Sequence, residues 1–357
     1  MNNEQQYMQR ALQLAEYGRG SVSPNPMVGC VITCHDRIIG EGWHRRYGQA
    51  HAEVEAVRDA LARGNEPLLP QATVYVTLEP CSHVGKTPPC ADLLVEKKVK
   101  RVVVCNDDPN PLVAGKGLQR LREAGIDVQS GLLAEQGREL NRRFFTFFEQ
   151  KRPYVILKWA ETADGFIGGT DRKPVAISGE YSGVRVHRWR SEEDAILVGA
   201  ATALADNPRL NVRHWAGYNP VRIVLDRQLR LPATLHLFDQ SQPTIIYNHL
   251  RSTPPEAFPV RYPQEGVNKV AYAQYPPGGE EISEILTDLY HRKIQSVLVE
   301  GGAAVLTAFL ESGLWDEIRR CQSTLRLGNG VKAPAPQGVL SGSEKVQQDL
   351  WTYYRNA

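Results

Sequence analysis

Two short stretches carry side chains able to do chemistry together. "HAE" places His51 and Glu53 on either side of one alanine, where a helical pattern begins, and "LEPCSHVGKTPPC" brings Cys81 and Cys90. Residues two apart do not face each other along a helix, but they can meet at a point beyond its end. One imidazole and two thiolates form a ligand set that suits zinc. Three protein ligands leave a fourth position for water, the pattern of a catalytic rather than a closed structural site. Zinc lowers the pKa of such a water to about 7, so hydroxide is available at neutral pH. Glu53 need not touch the metal; beside that water it can act as general base. A lone H-x-E is usually chance, so the weight rests on its combination with Pro80-Cys81 and Pro88-Pro89-Cys90 at strand-to-helix junctions.

The surrounding patterns would hold these residues in place. "EQQYMQRALQLAEYG" reads as a helix, "GCVITC" and "IIGEGWH" as strands around a turn, and "HAEVEAVRDALARG" as a helix stopped at Gly64. "ATVYVTLEP", "RVVVCN" and "IDVQSG" read as strands, with helices at "ADLLVEKKV" and "GLQRLREAG" between them. The helix following Pro89 would favour the Cys90 thiolate through its dipole. A basic, aromatic-rich segment, "LNRRFFTFFEQKRPY", marks a domain boundary near Gln150 to Pro153, giving domains of 1–150 and 151–357. A second α/β pattern follows, with strands at "YVILKWA", "AILVG", "VRIVLD", "PTIIYN" and "SVLVEGG" and a helix at "AVLTAFLESG". "RSTPPEAFPVRYPQEG" reads as loop. Helix and strand alternate in both halves, which predicts the α/β class with parallel or mixed sheets.

With 357 residues, 42% hydrophobic and 23% charged, the composition is globular and the length suits two domains. A net charge of +2 gives no basic stripe for nucleic acid, and no apolar run is long enough for a membrane span. The N-terminal helix pattern lacks the apolar core of a signal peptide. Six cysteines in such a chain are no disulfide framework and point to a cytoplasmic protein. Cys30, Cys34 and Cys105 fit strand cores, and Cys321 has no evident partner.

H-x-E followed by Pro-Cys and a second cysteine is the zinc deaminase signature, although Cys81 and Cys90 lie further apart here than in its C-x-x-C form. Together with "SPNPMVGCVI", "HAEVEAV", "TLEPCSHVGKTPPC" and "DPNPLVAGKGL", the chain resembles the bifunctional deaminase–reductases of riboflavin biosynthesis. The resemblance implies a cytidine-deaminase-like first domain acting on a phosphoribosylaminopyrimidine, with Asn25, His44, His83, Lys86, Asp108 and Asn110 touching the substrate. By residue type alone, Asn25 and Asn110 also suit turns beside proline, and His44 a strand end.

The second half resembles the family's reductase, of dihydrofolate-reductase-like fold, through "VILKWA", "VHRWRSEEDAILVGAATALADNPRLNVR", "NPVRIVLD" and "VEGGAAVLTAFLESGLWDE". That implies NADPH near Ala160, Thr202, Asp206, Gly301 and Gly302, and substrate near Arg190, Leu210, Arg213 and Glu300. Arginine forks suit a ribose phosphate, although Arg190 also reads as a solvated helix face. The chain departs from the pattern at Thr162-Ala163-Asp164-Gly165, at Pro174 and Ala176, and at Asn207. Overall the resemblance implies zinc-dependent deamination of 2,5-diamino-6-(5-phosphoribosylamino)pyrimidin-4(3H)-one, then NADPH reduction of the ribosyl group to ribityl. A homo-oligomer, dimer or tetramer, is expected. The competing readings are a deaminase with an inactive second half, a nucleic-acid-editing zinc deaminase, and a zinc-stabilised scaffold without catalysis.

Overall fold

The computed structural model describes residues 2–82, 89–111, 113–171, 173–254, 269–278 and 280–356. The chain divides into two compact units, Met1–Gln150 and Lys151–Ala357.

In the first unit α1 (Asn3–Glu16) starts with a reciprocal cap, in which the Asn2 side chain accepts from Gln5 N and the Gln5 side chain accepts from Asn2 N. There follow β1 (Gly29–Cys34), β2 (Arg37–Trp43), α2 (Ala52–Ala62), β3 (Thr73–Leu78), α3 (Cys90–Glu96), β4 (Arg101–Asn106), α4 (Lys116–Glu123), β5 (Asp127–Ser130), α5 (Ala134–Leu140) and α6 (Arg142–Gln150). The five strands form a mixed sheet in the order β2-β1-β3-β4-β5, antiparallel on the β2 side and parallel from β3 to β5. Strand residues alternate between two cores. Ile32, Val74, Val76 and Val102 pack under α2, α3 and α4, while Val31, Tyr75 and Val103 pack with α1. Gly42 lets α2 lie directly on β2, since a Cβ there would sit 2.3 Å from Ala56 N. The basic, aromatic-rich segment is α6, and it buries Phe144, Phe145 and Phe147.

The second unit contains β6 (Tyr154–Glu161), β7 (Phe166–Gly168), α7 (Glu180–Glu192), β8 (Ala195–Gly199), α8 (Ala200–Asp206), β9 (Val221–Leu225), β10 (Thr244–Asn248), β11 (Val270–Gln274), α9 (Glu281–His291), β12 (Ser296–Val299), α10 (Ala303–Ser312), β13 (Glu317–Gln322), β14 (Val331–Lys332), β15 (Val339–Val346) and β16 (Asp349–Arg355). Nine strands form one sheet, β11-β10-β9-β8-β12-β6-β13-β16-β15, parallel as far as β13 and antiparallel beyond it. β7 pairs with β14 separately. Several of these elements lack an apolar pattern. α7 turns Ser182, His187 and Ser191 inward with Val186. β13 buries Glu317 and Arg319, and Arg319 Nε donates to Glu317 Oε1 at 2.6 Å. Paired inward charges hide a strand from any reading based on hydrophobic alternation. Most of the proline-rich segment expected as loop, from 255 to its end at 266, lies outside the described residues.

Candidate active sites

His51 is the N-cap of α2, with extended backbone (φ −75°, ψ 166°), and its side chain makes no capping bond. Helix side chains lean toward the N-terminus, so Glu53 in the first turn reaches the same region. Cys90 opens α3, and Cys81 lies in the connection after β3. His51 Nδ1 is 3.6 Å from Cys81 Sγ and 3.4 Å from Cys90 Sγ, and the three ligand atoms lie within 4.8 Å of one another. Zinc–sulfur and zinc–nitrogen bonds of about 2.3 and 2.0–2.1 Å at a tetrahedral angle would set sulfur and nitrogen about 3.6 Å apart. The donor set fits a zinc ion in both chemistry and spacing. The Cys81 thiolate is favoured by hydrogen bonds from Cys90 and then His51, while the Cys90 thiol is pushed up by its partner Cys81 and by burial. A cation here would take the place of the protons these groups share.

Glu53 is 3% exposed, and burial, aided by the Cys81 charge, pushes its carboxyl up to about 7. A carboxyl poised there can both take and give a proton near neutrality. His44 is buried and its pKa is lowered by that burial. Its Nδ1 lies 2.9 Å from Ala50 O, and since a carbonyl only accepts, Nδ1 carries the proton. Nε2 then accepts from Asn25 Nδ2 at 3.1 Å. Asn25 and His44, far apart in sequence, thus form one unit, and the His44 and His51 rings meet edge to face with centroids 5.4 Å apart. Asp108 and Asn110 form an Asx turn, with Asn110 N donating to Asp108 Oδ1 at 2.8 Å. Burial pushes the Asp108 carboxyl up to about 7. His83 and Lys86 lie outside the described residues.

The second unit assembles its cluster from distant elements. Arg190 on α7 grips Glu300, which follows β12, through two bonds of 2.9 and 2.8 Å. It is therefore not a solvated helix face. Lys158 on β6 reaches the same carboxylate at 3.4 Å. Burial alone would raise the Glu300 pKa, but Arg190 and Lys158 outweigh it and hold the carboxyl at about 2. Arg190 Nη1 also donates to Asn211 O at 3.3 Å, and Arg213 N donates to His187 Nδ1 at 3.2 Å. Leu210 is buried with a left-handed backbone (φ 51°), an outlier of the kind that collects at working sites. Arg213 has its pKa lowered by burial and then by the neighbouring charges of Arg190 and Arg209, so cations gather there with one carboxylate among them.

Gly301 and Gly302 join β12 to α10. A Cβ on Gly301 would lie 2.5 Å from Val198 Cα, and Gly302 has φ +65° with Thr202 Oγ1 2.7 Å from its would-be Cβ. The N-terminus of α10 is not capped by a side chain, so its N–H groups suit a phosphate and the cradle fits NADPH. Ala160 lies near the C-terminal end of β6. Asp206 is exposed at the end of α8, and its side chain makes no hydrogen bond among the described residues. Asp164 in the variant turn accepts from Leu327 N and Gly328 N, and Thr162 donates to it at 2.6 Å. Pro174 and Ala176 are exposed in an irregular stretch before α7.

Sequence reasoning missed Lys158, His187 and Asn211. Two had a signal: Lys158 is the lone charge in an apolar strand, and His187 lies one helical turn from Arg190. Cys30, Cys34, Cys105 and Cys321 are buried, and all six cysteines are free. Cys321 packs with Val186 and Trp351. Among the described residues no helix is long and apolar enough to cross a membrane.

Residues 1–106 match the cytidine and deoxycytidylate deaminase zinc-binding region, and residues 153–354 match the RibD C-terminal domain. The chain is 40% identical over 344 residues to the riboflavin biosynthesis protein RibD of Actinobacillus pleuropneumoniae, covering 96% of this chain and 88% of the relative. It is 39% identical over 346 residues to that of Aquifex aeolicus, covering 96% and 93%. Among solved structures, Acinetobacter baumannii RibD is similar with a TM-score of 0.87 at 36% identity, covering 99% of both chains. The Thermotoga maritima diaminohydroxyphosphoribosylaminopyrimidine deaminase/5-amino-6-(5-phosphoribosylamino)uracil reductase is similar with a TM-score of 0.86 at 36% identity, again covering 99% of both. A cytidine-deaminase-like zinc-binding region followed by a RibD C-terminal domain of dihydrofolate-reductase-like fold is the order found along this chain, which belongs to the RibD family of riboflavin biosynthesis proteins.

Proposed function

We propose that residues 1–150 deaminate 2,5-diamino-6-(5-phosphoribosylamino)pyrimidin-4(3H)-one and that residues 151–357 reduce the resulting 5-amino-6-(5-phosphoribosylamino)uracil at its ribosyl group. The observation that carries the reading is the convergence of His51, Cys81 and Cys90 beside the buried Glu53. His51 Nδ1 and the two sulfurs would hold zinc, which would supply a water polarised enough to ionise near neutral pH. The Glu53 carboxylate would take one proton from water and return it to the departing amino nitrogen, the second proton of the water ending on the ring nitrogen, so that water is consumed and ammonia released. Asn25, presented by neutral His44, with Asp108, Asn110, His83 and Lys86, holds the substrate.

In the second unit NADPH supplies the hydride, and the protein supplies orientation and charge. Gly301 and Gly302 would cradle the cofactor phosphates beside Thr202, with Ala160 and Asp206 also near the cofactor. Arg190, Leu210, Arg213 and Glu300 receive the substrate. Glu300 organises the cations, and Arg213 is left to grip the ribose phosphate. Reduction requires no side-chain nucleophile, which is why exposed Pro174 and Ala176 are compatible with an active second half. The near-neutral net charge disfavours nucleic acid as substrate. A cytoplasmic location and a homo-oligomer belong to the same reading. Free cysteines support the first, and Val339 and Leu340, exposed on the edge strand β15, support the second.

The deciding experiment incubates pure protein with the diaminopyrimidinone phosphate, with and without NADPH, and identifies the products by mass. Deaminated ribosyl product alone without NADPH, and ribityl product with it, are expected. Deaminated product in both arms would leave a deaminase with an inactive second half.

A further inference from the structure

We propose that Glu79 is a positioning residue for deamination, holding the Asp108–Asn110 turn in register with the loop that carries Cys81. The proposal rests on the deaminase reading above and adds a residue to it. Glu79 follows β3 directly, is 4% exposed, and forms no ion pair among the described residues. Its charge is satisfied by backbone alone. Oε2 accepts from Asp108 N at 3.3 Å and Gly115 N at 3.0 Å, and Oε1 accepts from Gly117 N at 2.9 Å and Leu118 N at 3.3 Å. These donors lie at both ends of the segment that carries Asn110, so one carboxylate closes that segment like a staple.

The other side of the staple is the metal-ligand loop. Glu79 N donates to Asn106 O at 3.0 Å, continuing the pairing of β3 with β4. Cys81 is two residues further on. The start of α4 presses against the intervening residue: a Cβ on Gly117 would lie 1.9 Å from Pro80 O. No space separates the two segments, so a shift at the Glu79 carboxylate moves the Asp108 turn relative to Cys81. α4 has no side-chain cap of its own at Gly115, and Glu79 supplies the acceptors from outside.

A carboxylate is acceptor-only, whereas an amide of the same shape turns two donors toward N–H groups. Glu79→Gln therefore loses one pair of these bonds and opposes donor to donor. Cys81 remains tied to His51 and Cys90, so the turn is the part free to move. The test uses the full-length, zinc-loaded protein as Glu79→Gln and Glu79→Asp, reading zinc per chain, KM and kcat for deamination, and NADPH-dependent reduction. In Glu79→Gln zinc and reduction should persist, while KM for the pyrimidine rises about ten- to hundredfold, with a smaller fall in kcat, from the lost charge-assisted bonds. Glu79→Asp keeps the acceptors but is one methylene short, and should fall between. Adding Glu79→Gln to Asp108→Ala should raise KM little further. An unchanged KM with a lowered Tm would make Glu79 only a helix cap and overturn the proposal. Loss of zinc, or failure of both variants to fold, would also overturn it. Deamination by the parent protein tests the functional reading separately.

Discussion

Two buried glutamates behave in opposite ways. Glu53 is 3% exposed and its carboxyl is pushed up to about 7, whereas the Glu300 side chain is 8% exposed and its carboxyl is held at about 2. Burial penalises both charges. The neighbours decide the outcome: Glu53 faces the Cys81 thiolate, which adds to the penalty, while Glu300 faces Arg190 and Lys158, which reverse it. The first environment makes a carboxyl that can exchange a proton. The second makes a permanent anion that organises cations. The two units also differ in construction. The first gathers its ligands from the starts of two helices and one loop, while the second draws on β6, α7, the 210–213 segment and the residue after β12.

The contrast can be broken most sharply at the first glutamate. Glu53→Gln should keep one zinc per chain yet lose deamination by more than the about 10²–10⁴-fold usual for general acid–base help, because both attack and departure need the proton. Reduction of supplied deaminated intermediate should persist, and a parallel collapse of both activities in folded protein would contradict separate sites. Cys81→Ser should lose zinc and deamination together, as measured by metal analysis beside turnover.

At the other glutamate the expected loss is in stability. Glu300→Gln leaves Arg190 and Lys158 without their anion and should cost about 3–5 kcal/mol at pH 7 in denaturant melts. A depressed folded pKa contributes stability that is complete above the unfolded value of 4.5 and disappears as pH falls through about 2. The deficit of the variant should therefore shrink across that acid window, and a pH-independent deficit would refute the ion-pair account.

Smaller effects sharpen the picture. Arg213→Ala should raise KM for the phosphorylated substrate about tenfold or more while leaving NADPH binding, followed by fluorescence titration, nearly unchanged. Gly302→Ala forces a side chain onto a left-handed backbone at a strain of about 1–3 kcal/mol, so NADPH affinity should fall roughly tenfold with deamination untouched. Cys34→Ala should cost about 1 kcal/mol of stability and leave the zinc content at one per chain.

What could be read from the sequence alone follows the reach of local chemistry. H-x-E and Pro-Cys at strand-to-helix junctions are short-range patterns, and helix geometry alone sends His51, Glu53 and Cys90 toward helix N-termini. The α/β alternation of the first unit was equally legible, because strands such as "RVVVCN" bury apolar residues on both faces. Only the tertiary structure decided that His44 carries Asn25, that Glu79 spans from the Cys81 loop to the Asp108 turn, and that Arg190 is a buried partner of Glu300 rather than a surface charge. It also disclosed β13, which buries the paired charges Glu317 and Arg319 where a hydrophobic pattern would be sought, and showed that the inward face of α7 is largely polar. The physical reason is common to these cases. A charged or polar side chain looks the same in sequence whether water or a partner satisfies it, and the partner is more than a hundred residues away for Arg190 and Glu300.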